Sequence, residues 1–123
     1  MITTADINEF KQLIEIMEKD NNNKKVTAVI KYQNLYIQGD ECELMIRFHK
    51  SFGQLIIARM TVNNKRQGTG TKILNFLIEY AKDNGYNKLV AETVLSERLR
   101  RFLGKFNFVE QPNTIWCYEL PLT

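Results

Sequence analysis

The segment Lys65–Thr71, which reads KRQGTGT, carries the residue types that bind a phosphorylated ligand. It follows an apolar run of strand-forming residues and precedes a stretch with helical periodicity, so it is predicted to join a strand to a helix. The start of a helix presents free backbone N–H groups and a positive dipole end, and together these attract an anion. Gly68 and Gly70 lack Cβ atoms and let a phosphate approach the main chain, while Lys65 and Arg66 add positive charge.

Metal and thiol chemistry are not expected from this sequence. Its one histidine, His49, and its two cysteines, Cys42 and Cys117, are scattered along the chain and cannot supply a tetrahedral metal site. Both cysteines lie in apolar, strand-like segments, where a cysteine more often packs as a small hydrophobic residue. A thiol nucleophile paired with His49 is therefore the less favoured alternative.

The elements around the glycine segment predict one α/β (α+β) domain over residues 1–123, with a mixed central β-sheet flanked by helices. Helical periodicity predicts an N-terminal helix within residues 1–22. Alternating strand formers predict a three-stranded meander, and the strand–helix–strand unit over residues 54–94 is predicted to be a right-handed parallel crossover. The predicted meander strands are residues 26–37, 41–49 and 54–62.

The C-terminal half is predicted to hold a second and a third helix. Asn84-Gly85 ends the helix that follows the glycine segment, because both residues accept a left-handed backbone. Ser96 is predicted to cap a basic helix that is buried through Leu99, Phe102 and Phe106. The remaining predicted strands are residues 88–94, a short one from residue 108 and a last one over residues 115–120.

Composition is that of a globular protein: 44% of the 123 residues are hydrophobic, 25% are charged and the net charge is +3. No window approaches the roughly 18 apolar residues that a membrane span needs. Met1–Asp6 lacks the pattern of a signal peptide, and the cysteine usage favours a reducing compartment, so a cytoplasmic location is expected. The net charge is too small to argue for nucleic acid by itself.

Two segments resemble motifs of the GNAT acetyltransferase family. Met60–Leu74, MTVNNKRQGTGTKIL, is similar to the family's pyrophosphate loop, which is often Arg or Gln, two residues, Gly, any residue, then Gly or Ala. Phe102–Val109, FLGKFNFV, is similar to the family's C-terminal motif, usually Phe-Tyr-x-Lys-x-Gly-Phe. Short glycine patterns occur by chance, but both segments stand in the expected order on the expected elements. The resemblance covers residues 26–120.

The resemblance implies a GNAT-like sheet and cofactor-binding core over residues 26–120 and an N-acetyltransferase that uses acetyl-coenzyme A without a metal. An amine of a protein, peptide or small molecule would attack the thioester directly in a ternary complex. The pyrophosphate would lie on the N–H groups of Arg66–Thr71, and the pantetheine arm would pair with the edge of the strand that ends near Val62. The cofactor-binding residues so implied are Met60, Thr61, Val62, Lys65, Arg66, Gln67, Gly68, Thr69, Gly70, Thr71, Ser96 and Lys105.

Two residues depart from the family pattern. Leu103 stands where many members have the tyrosine proposed to protonate the leaving thiolate, and leucine has no proton to give. A thiol, with an ordinary pKa near ~8.5, is already a fair leaving group, so transfer does not require that acid. Asn107 replaces a glycine after the last helix, and asparagine also tolerates a positive φ.

Amine acetylation needs a neutral amine, so a general base is expected. Glu92 is the first candidate, because burial among its apolar strand neighbours would raise its pKa. The alternative is a surface glutamate on a sheet face. Glu41 and Glu43 are weaker candidates, His49 is expected to be exposed and idle, and Arg59 is expected to line the acceptor site or to pair with Glu92.

Other functions remain open at this point. Leu103 and the short N-terminal region favour, as the second hypothesis, a non-catalytic GNAT-fold module that binds coenzyme A or a protein partner. The third is a nucleic-acid binder, which is less favoured because its basic residues are spread over the helix. Those residues are Arg98, Arg100, Arg101 and Lys105. A homodimer through Trp116, Tyr118 and Leu120 is a further expectation.

Overall fold

The computed structural model describes residues 6–64, 68–92, 94, 96–112 and 116–122. Within them, no helix is long and apolar enough to cross a membrane. The elements, in chain order, are a 3₁₀ turn (Ile7–Phe10), α1 (Lys11–Asp20), β1 (Thr27–Lys31), β2 (Asn34–Gln38), β3 (Glu43–His49), a second 3₁₀ turn (Lys50–Phe52), β4 (Gln54–Thr61), α2 (Thr69–Asp83), β5 (Lys88–Ala91), α3 (Glu97–Gly104), β6 (Val109–Glu110) and β7 (Tyr118–Pro121).

The strands form one mixed sheet in the order β1-β2-β3-β4-β5-β7-β6. Strands β4 and β5 are parallel and joined by α2, while the other neighbouring pairs are antiparallel. The predicted fold class and the parallel crossover are therefore confirmed. Ser96 caps α3 as predicted, and Asn107 takes the predicted left-handed conformation with φ 71°.

The meander has four strands, so the prediction of three strands is wrong. The segment 26–37 is a hairpin of β1 and β2, in which Lys31 pairs with Asn34 across the turn. Tyr32 in that turn adopts a left-handed conformation with φ 59°. Tyrosine and glutamine are not the usual residues of a tight turn, so the strand-forming pattern runs through the hairpin without a visible break.

Helices α1 and α2 pack on one face of the sheet and enclose the core. Phe10 is completely buried, and its ring lies 4.8 Å from that of Tyr80 and 5.6 Å from that of Phe48. Helix α3 is anchored differently from the prediction. Leu103 is its buried residue, whereas Leu99, Phe102 and Phe106 are partly buried against the core. The amphipathic pattern identifies the correct side of the helix but misses the residue at its centre.

We expect Phe10→Ala to lower the free energy of unfolding by about 3–5 kcal/mol, because the change leaves a cavity between two helices and the sheet. Phe52→Ala is the matched control: its side chain is 67% exposed, and its loss should change stability by no more than about 0.5 kcal/mol. Urea unfolding followed by circular dichroism measures both. Equal losses for the two variants would contradict the position of Phe10 in the core.

Candidate functional site

One groove of about 780 Å³ gathers the described residues of the predicted cofactor site. It runs between the end of β4, the start of α2 and one side of α3. Lys65, Arg66 and Gln67 lie outside the described residues. The predicted residues that line the groove are Met60, Thr61, Val62, Gly68, Thr69, Gly70, Thr71, Ser96 and Lys105.

The first turn of α2 lies at one end of this groove. Gly68 precedes the helix in a left-handed conformation, with φ 78° and ψ 8°, and no side chain caps the helix there among the described residues. The first backbone bond of the helix runs from the Lys72 N–H to the Gly68 carbonyl, at 3.0 Å. The preceding N–H groups of the turn have no acceptor within the helix, so they can bind an anion.

The two glycines of this turn have different roles. A Cβ atom at Gly68 would meet no atom of the described residues within 4 Å, so none of them fills the space that a ligand would need against the main chain. A Cβ atom at Gly70 would lie 3.0 Å from Cζ of Phe102. Gly70 therefore lets α3 pack against the start of α2, in addition to its predicted role of admitting a phosphate.

The buried carboxylate of Asp20 is a site residue that the sequence analysis missed. It accepts hydrogen bonds from the backbone N–H groups of Asn63, at 2.6 Å, and Asn64, at 2.8 Å, and from the Thr69 hydroxyl, at 3.4 Å. Asp20 ends α1, far from the glycine segment in sequence, and its pattern is that of any polar residue at a helix end. The one sequence signal for this contact was the pair Asn63 and Asn64, since adjacent asparagines indicate a turn with specific hydrogen bonds.

Strands β4 and β5 separate at their carboxyl ends and leave a wedge. The last bond between them runs from the Glu92 N–H to the Ile57 carbonyl, at 3.0 Å. Two residues later the Val94 N–H donates instead to the Trp116 carbonyl, on the β7 side, at 2.7 Å. In β4 a bulge follows at Ala58, which has no opposite residue in β3. The described part of the chain supplies no strand partner on the β5 side of β4 beyond this bulge.

The wedge is a cavity of about 240 Å³ that adjoins the groove, since Met60 and Leu99 line both. Its α3 side is apolar, with Leu99 beside the buried Leu103. Glu92 is the carboxylate among its lining residues, which are Ile57, Ala58, Arg59, Met60, Ala91, Glu92, Val94, Leu99 and Leu103.

Glu92 lies at the wedge in an ion pair with Arg47, with an N–O distance of 3.2 Å. Its side chain is 34% exposed, so the structure does not enclose it among apolar neighbours as the prediction required. Arg59 lines the wedge, and its salt-bridge partner is Glu43, at 3.6 Å, so the alternative pairing with Glu92 is wrong. Both ion pairs are on the sheet face opposite α1 and α2.

The basic residues of α3 have separate contacts. Arg101 pairs with Glu97 at 2.9 Å, and Arg100 lies 5.5 Å from the centre of the Trp116 ring. Arg98 and Lys105 line the groove, where they add positive charge near the start of α2. The Ser96 hydroxyl accepts from the Leu99 N–H at 3.3 Å, which leaves its own proton free for a ligand.

Cys42 is buried, and burial, together with the nearby Asp20 carboxylate, raises the pKa of its thiol from 9.0 to about 11. Such a thiol is protonated at neutral pH and is a poor nucleophile. His49 lies against Phe52, with ring centres 4.4 Å apart. Among the described residues there is no group of three metal-ligating side chains of the His, Cys, Asp and Glu types.

The Cys42 thiol should make stability fall at alkaline pH. The unfolded thiol loses its proton near pH 9, whereas the folded thiol keeps it until about pH 11, so the stabilisation is complete below pH 9 and is lost as pH rises through 11. We expect Cys42→Ala to have a shallower decline between these values than Cys117→Ala, the control, when urea unfolding is measured at each pH. Equal declines would contradict this effect.

No protein-family model and no curated protein sequence matches the chain. Solved structures do match, at low sequence identity. Anti-CRISPR protein AcrVA5 aligns with a TM-score of 0.59 and 15% identity over 72% of this chain and 99% of its own. Tetrahymena GCN5 aligns at 0.58 and 14% identity over 94% and 83%. The ribosomal-protein-S18-alanine N-acetyltransferase from Escherichia coli aligns at 0.57 and 14% identity over 100% and 94%. The chain therefore has the GNAT fold, which is the fold expected from its two GNAT-like motifs.

Proposed function

We propose that this GNAT-fold protein is an N-acetyltransferase that transfers an acetyl group from acetyl-coenzyme A to an amine. The observation that carries the proposal is that the groove at the start of α2 adjoins the wedge between β4 and β5. Together they offer backbone N–H groups suited to an anion at one end, a β4 edge with no strand partner among the described residues, and a partly apolar end that holds one carboxylate. These are the features that a thioester with a long, phosphorylated carrier needs.

The residues of the path fit coenzyme A in three parts. The first-turn N–H groups of α2 and the charges of Arg98 and Lys105 suit the phosphates. The edge of β4 beyond Ile57 can pair with the amides of a pantetheine arm, as it would with an added strand. The wall of Leu99 and Leu103 can hold the acetyl group and exclude water from it. When bound there, acetyl-coenzyme A supplies the activated acyl group.

We propose Glu92 as the group that removes the proton from the amine. An alkylammonium has a pKa near ~10.4 and must lose a proton before its nitrogen can attack. A carboxylate at the wedge can bind the cation and pass its proton on to solvent, directly or through one water. Arg47 holds Glu92 in place, and such a part-exposed ion pair is weak enough to exchange for an incoming ammonium. The proton of the departing thiolate comes from water in this proposal, because Leu103 offers none.

The second candidate function is binding of coenzyme A without transfer. The buried Leu103 favours it, since the wedge wall has a hydrocarbon where the family motif places an acid. Solved structures of the same fold include the nourseothricin acetyltransferase and the ribosomal-protein-S18-alanine N-acetyltransferase. Because these acceptors differ, the fold does not identify the acceptor of this chain, and experiment must determine it.

One pair of measurements tests both candidates. Calorimetric titration with coenzyme A and acetyl-coenzyme A measures binding, and an assay of free thiol over a panel of protein, peptide and small-molecule amines measures transfer. Binding with amine-dependent thiol release supports the acetyltransferase. Binding without release from any amine supports the binding module, and no binding of either compound overturns both.

A further inference from the structure

Asp20 is in an unfavourable position unless something compensates it. Its carboxylate is at the C-terminal end of α1, where the helix dipole disfavours a negative charge, and the residue is only 2% exposed. A buried carboxylate persists where donors surround it. Among the described residues, the N–H and hydroxyl donors are the backbone N–H groups of Asn63 and Asn64, which precede residues 65–67, and the hydroxyl of Thr69, which follows Gly68; the Cys42 thiol also lies beside the carboxylate.

The same residue binds the segment a second time through its main chain. The Asp20 carbonyl accepts from the side-chain amides of Asn63, at 3.2 Å, and Asn64, at 2.9 Å. Asp20 therefore receives five hydrogen bonds from three residues that flank residues 65–67. Residues before and after positions 65–67 therefore contact the same helix end.

We propose that Asp20 is a positioning residue for the phosphates of coenzyme A. The proposal rests on the proposed function, because it concerns how that site binds its acyl donor. Asp20 contributes a charge of the wrong sign for an anion site, so its effect must be on geometry. By holding Asn63, Asn64 and Thr69 in fixed positions, it orders the first turn of α2 before the ligand arrives and lowers the entropy lost on binding.

The contacts of the neighbouring residue Asn21 make it possible to distinguish the positioning role of Asp20 from a general effect on stability. Asn21, the next residue, is also 2% exposed and makes a comparable set of hydrogen bonds. Its side chain accepts from the Asp40 N–H at 2.8 Å and donates to the carbonyls of Lys24 and Lys25. Asn21 thus ties α1 to the loops on its other side and has no hydrogen bond to residues 63–71 among those described.

Asp20→Asn with Asn21→Ala as its matched control tests the proposal. Asparagine keeps the shape of Asp20 but places an amide against donors, so one or more of the bonds to Asn63, Asn64 and Thr69 is lost. We expect the Kd of Asp20→Asn for coenzyme A to rise roughly tenfold or more, as loss of hydrogen bonds to a charged group implies. We expect Asn21→Ala to lower Tm by about as much as Asp20→Asn lowers it. The Kd of Asn21→Ala for coenzyme A should stay within about twofold of the wild-type value.

Three outcomes are distinguishable in this experiment. A selective rise in Kd for Asp20→Asn supports the positioning role. Wild-type affinity in Asp20→Asn, or a rise in Kd that follows Tm equally in both variants, overturns it while the proposed function stands. Failure of the wild-type protein to bind coenzyme A overturns the proposed function itself, and the positioning role with it.

Should Asp20→Asn not fold, Thr69→Val gives the same test through one bond. Valine keeps the branched shape of threonine and removes the hydroxyl that donates to Asp20 at 3.4 Å. We expect a rise of about threefold in Kd for coenzyme A, since this is the longest of the bonds. Hydrogen exchange of the wild-type protein supplies the second readout: the Asn63 and Asn64 amides should be protected before coenzyme A is added, and fast exchange in its absence would overturn preorganisation.

Discussion

Gly68→Asp is expected to abolish measurable binding of coenzyme A, with a loss of affinity of at least about 100-fold. The new carboxylate would stand in the open space beside the first-turn N–H groups of α2, where the phosphates are proposed to bind. Two unit charges about 4 Å apart near a protein surface repel by roughly 4 kcal/mol, which exceeds the ~2.7 kcal/mol of a 100-fold change. An acidic residue at a helix N-terminus is favourable for the helix, so the fold should survive.

Gly68→Asn is the matched control for this change. Asparagine has nearly the shape of aspartate and tolerates the left-handed conformation that Gly68 adopts at φ 78°. It carries no charge, so its affinity should fall by only about three- to tenfold. Calorimetry at low and high salt measures both variants, and salt should partly restore the aspartate variant. Equal affinities for Asp and Asn would show that no anion binds at this turn.

The start of α2 after the glycine turn was predictable from the sequence because its determinants are local. A strand, two glycines and a helix in immediate succession define the turn, and short-range periodicity identifies each element. The same holds for Ser96 and Asn107, whose backbone roles depend on their own residue types. Each prediction needed only a few consecutive residues.

The contacts of Asp20 and Arg47 could not be predicted in this way. Asp20 meets Asn63 and Asn64 across more than forty residues, and Arg47 meets Glu92 across forty-five. The bulge at Ala58 shifts the register of β4 against β3, and it follows from how the strands pack rather than from any one residue type. The partner of Arg59 follows from that register, because Arg59 stands opposite Met45, two residues from Glu43.

The hairpin at Tyr32 was missed for a different reason, since its turn does not have the residues usual for a turn. Its strands β1 and β2 have the composition that predicts strands, and only the turn was missed. A left-handed tyrosine costs conformational energy, and the pairing of five residues on each side offsets that cost. Local propensity therefore gave the wrong number of strands while it gave the correct type of structure.

Glu92→Gln is expected to lower turnover by about 10²- to 10⁴-fold at neutral pH, the range for loss of a general base. Glutamine keeps the length of the side chain but cannot accept the proton of an ammonium. The phosphates and the β4 edge are unchanged, so the Kd for coenzyme A should stay within about twofold of wild type. Turnover is measured as thiol release at saturating acetyl-coenzyme A, with an amine that the acceptor panel has identified.

Glu43→Gln controls for the loss of an ion pair on the same sheet face. Glu43 pairs with Arg59 as Glu92 pairs with Arg47, and both glutamate side chains are 34% exposed, so each variant removes one carboxylate of similar exposure and leaves one arginine without its partner. Glu92 lines the wedge and Glu43 does not, so only Glu92→Gln should affect the chemical step. Equal losses would attribute the effect to the charges of the face, and a loss in Glu43→Gln alone would transfer the proton-accepting role to Glu43. Full turnover in both variants would leave proton removal to water.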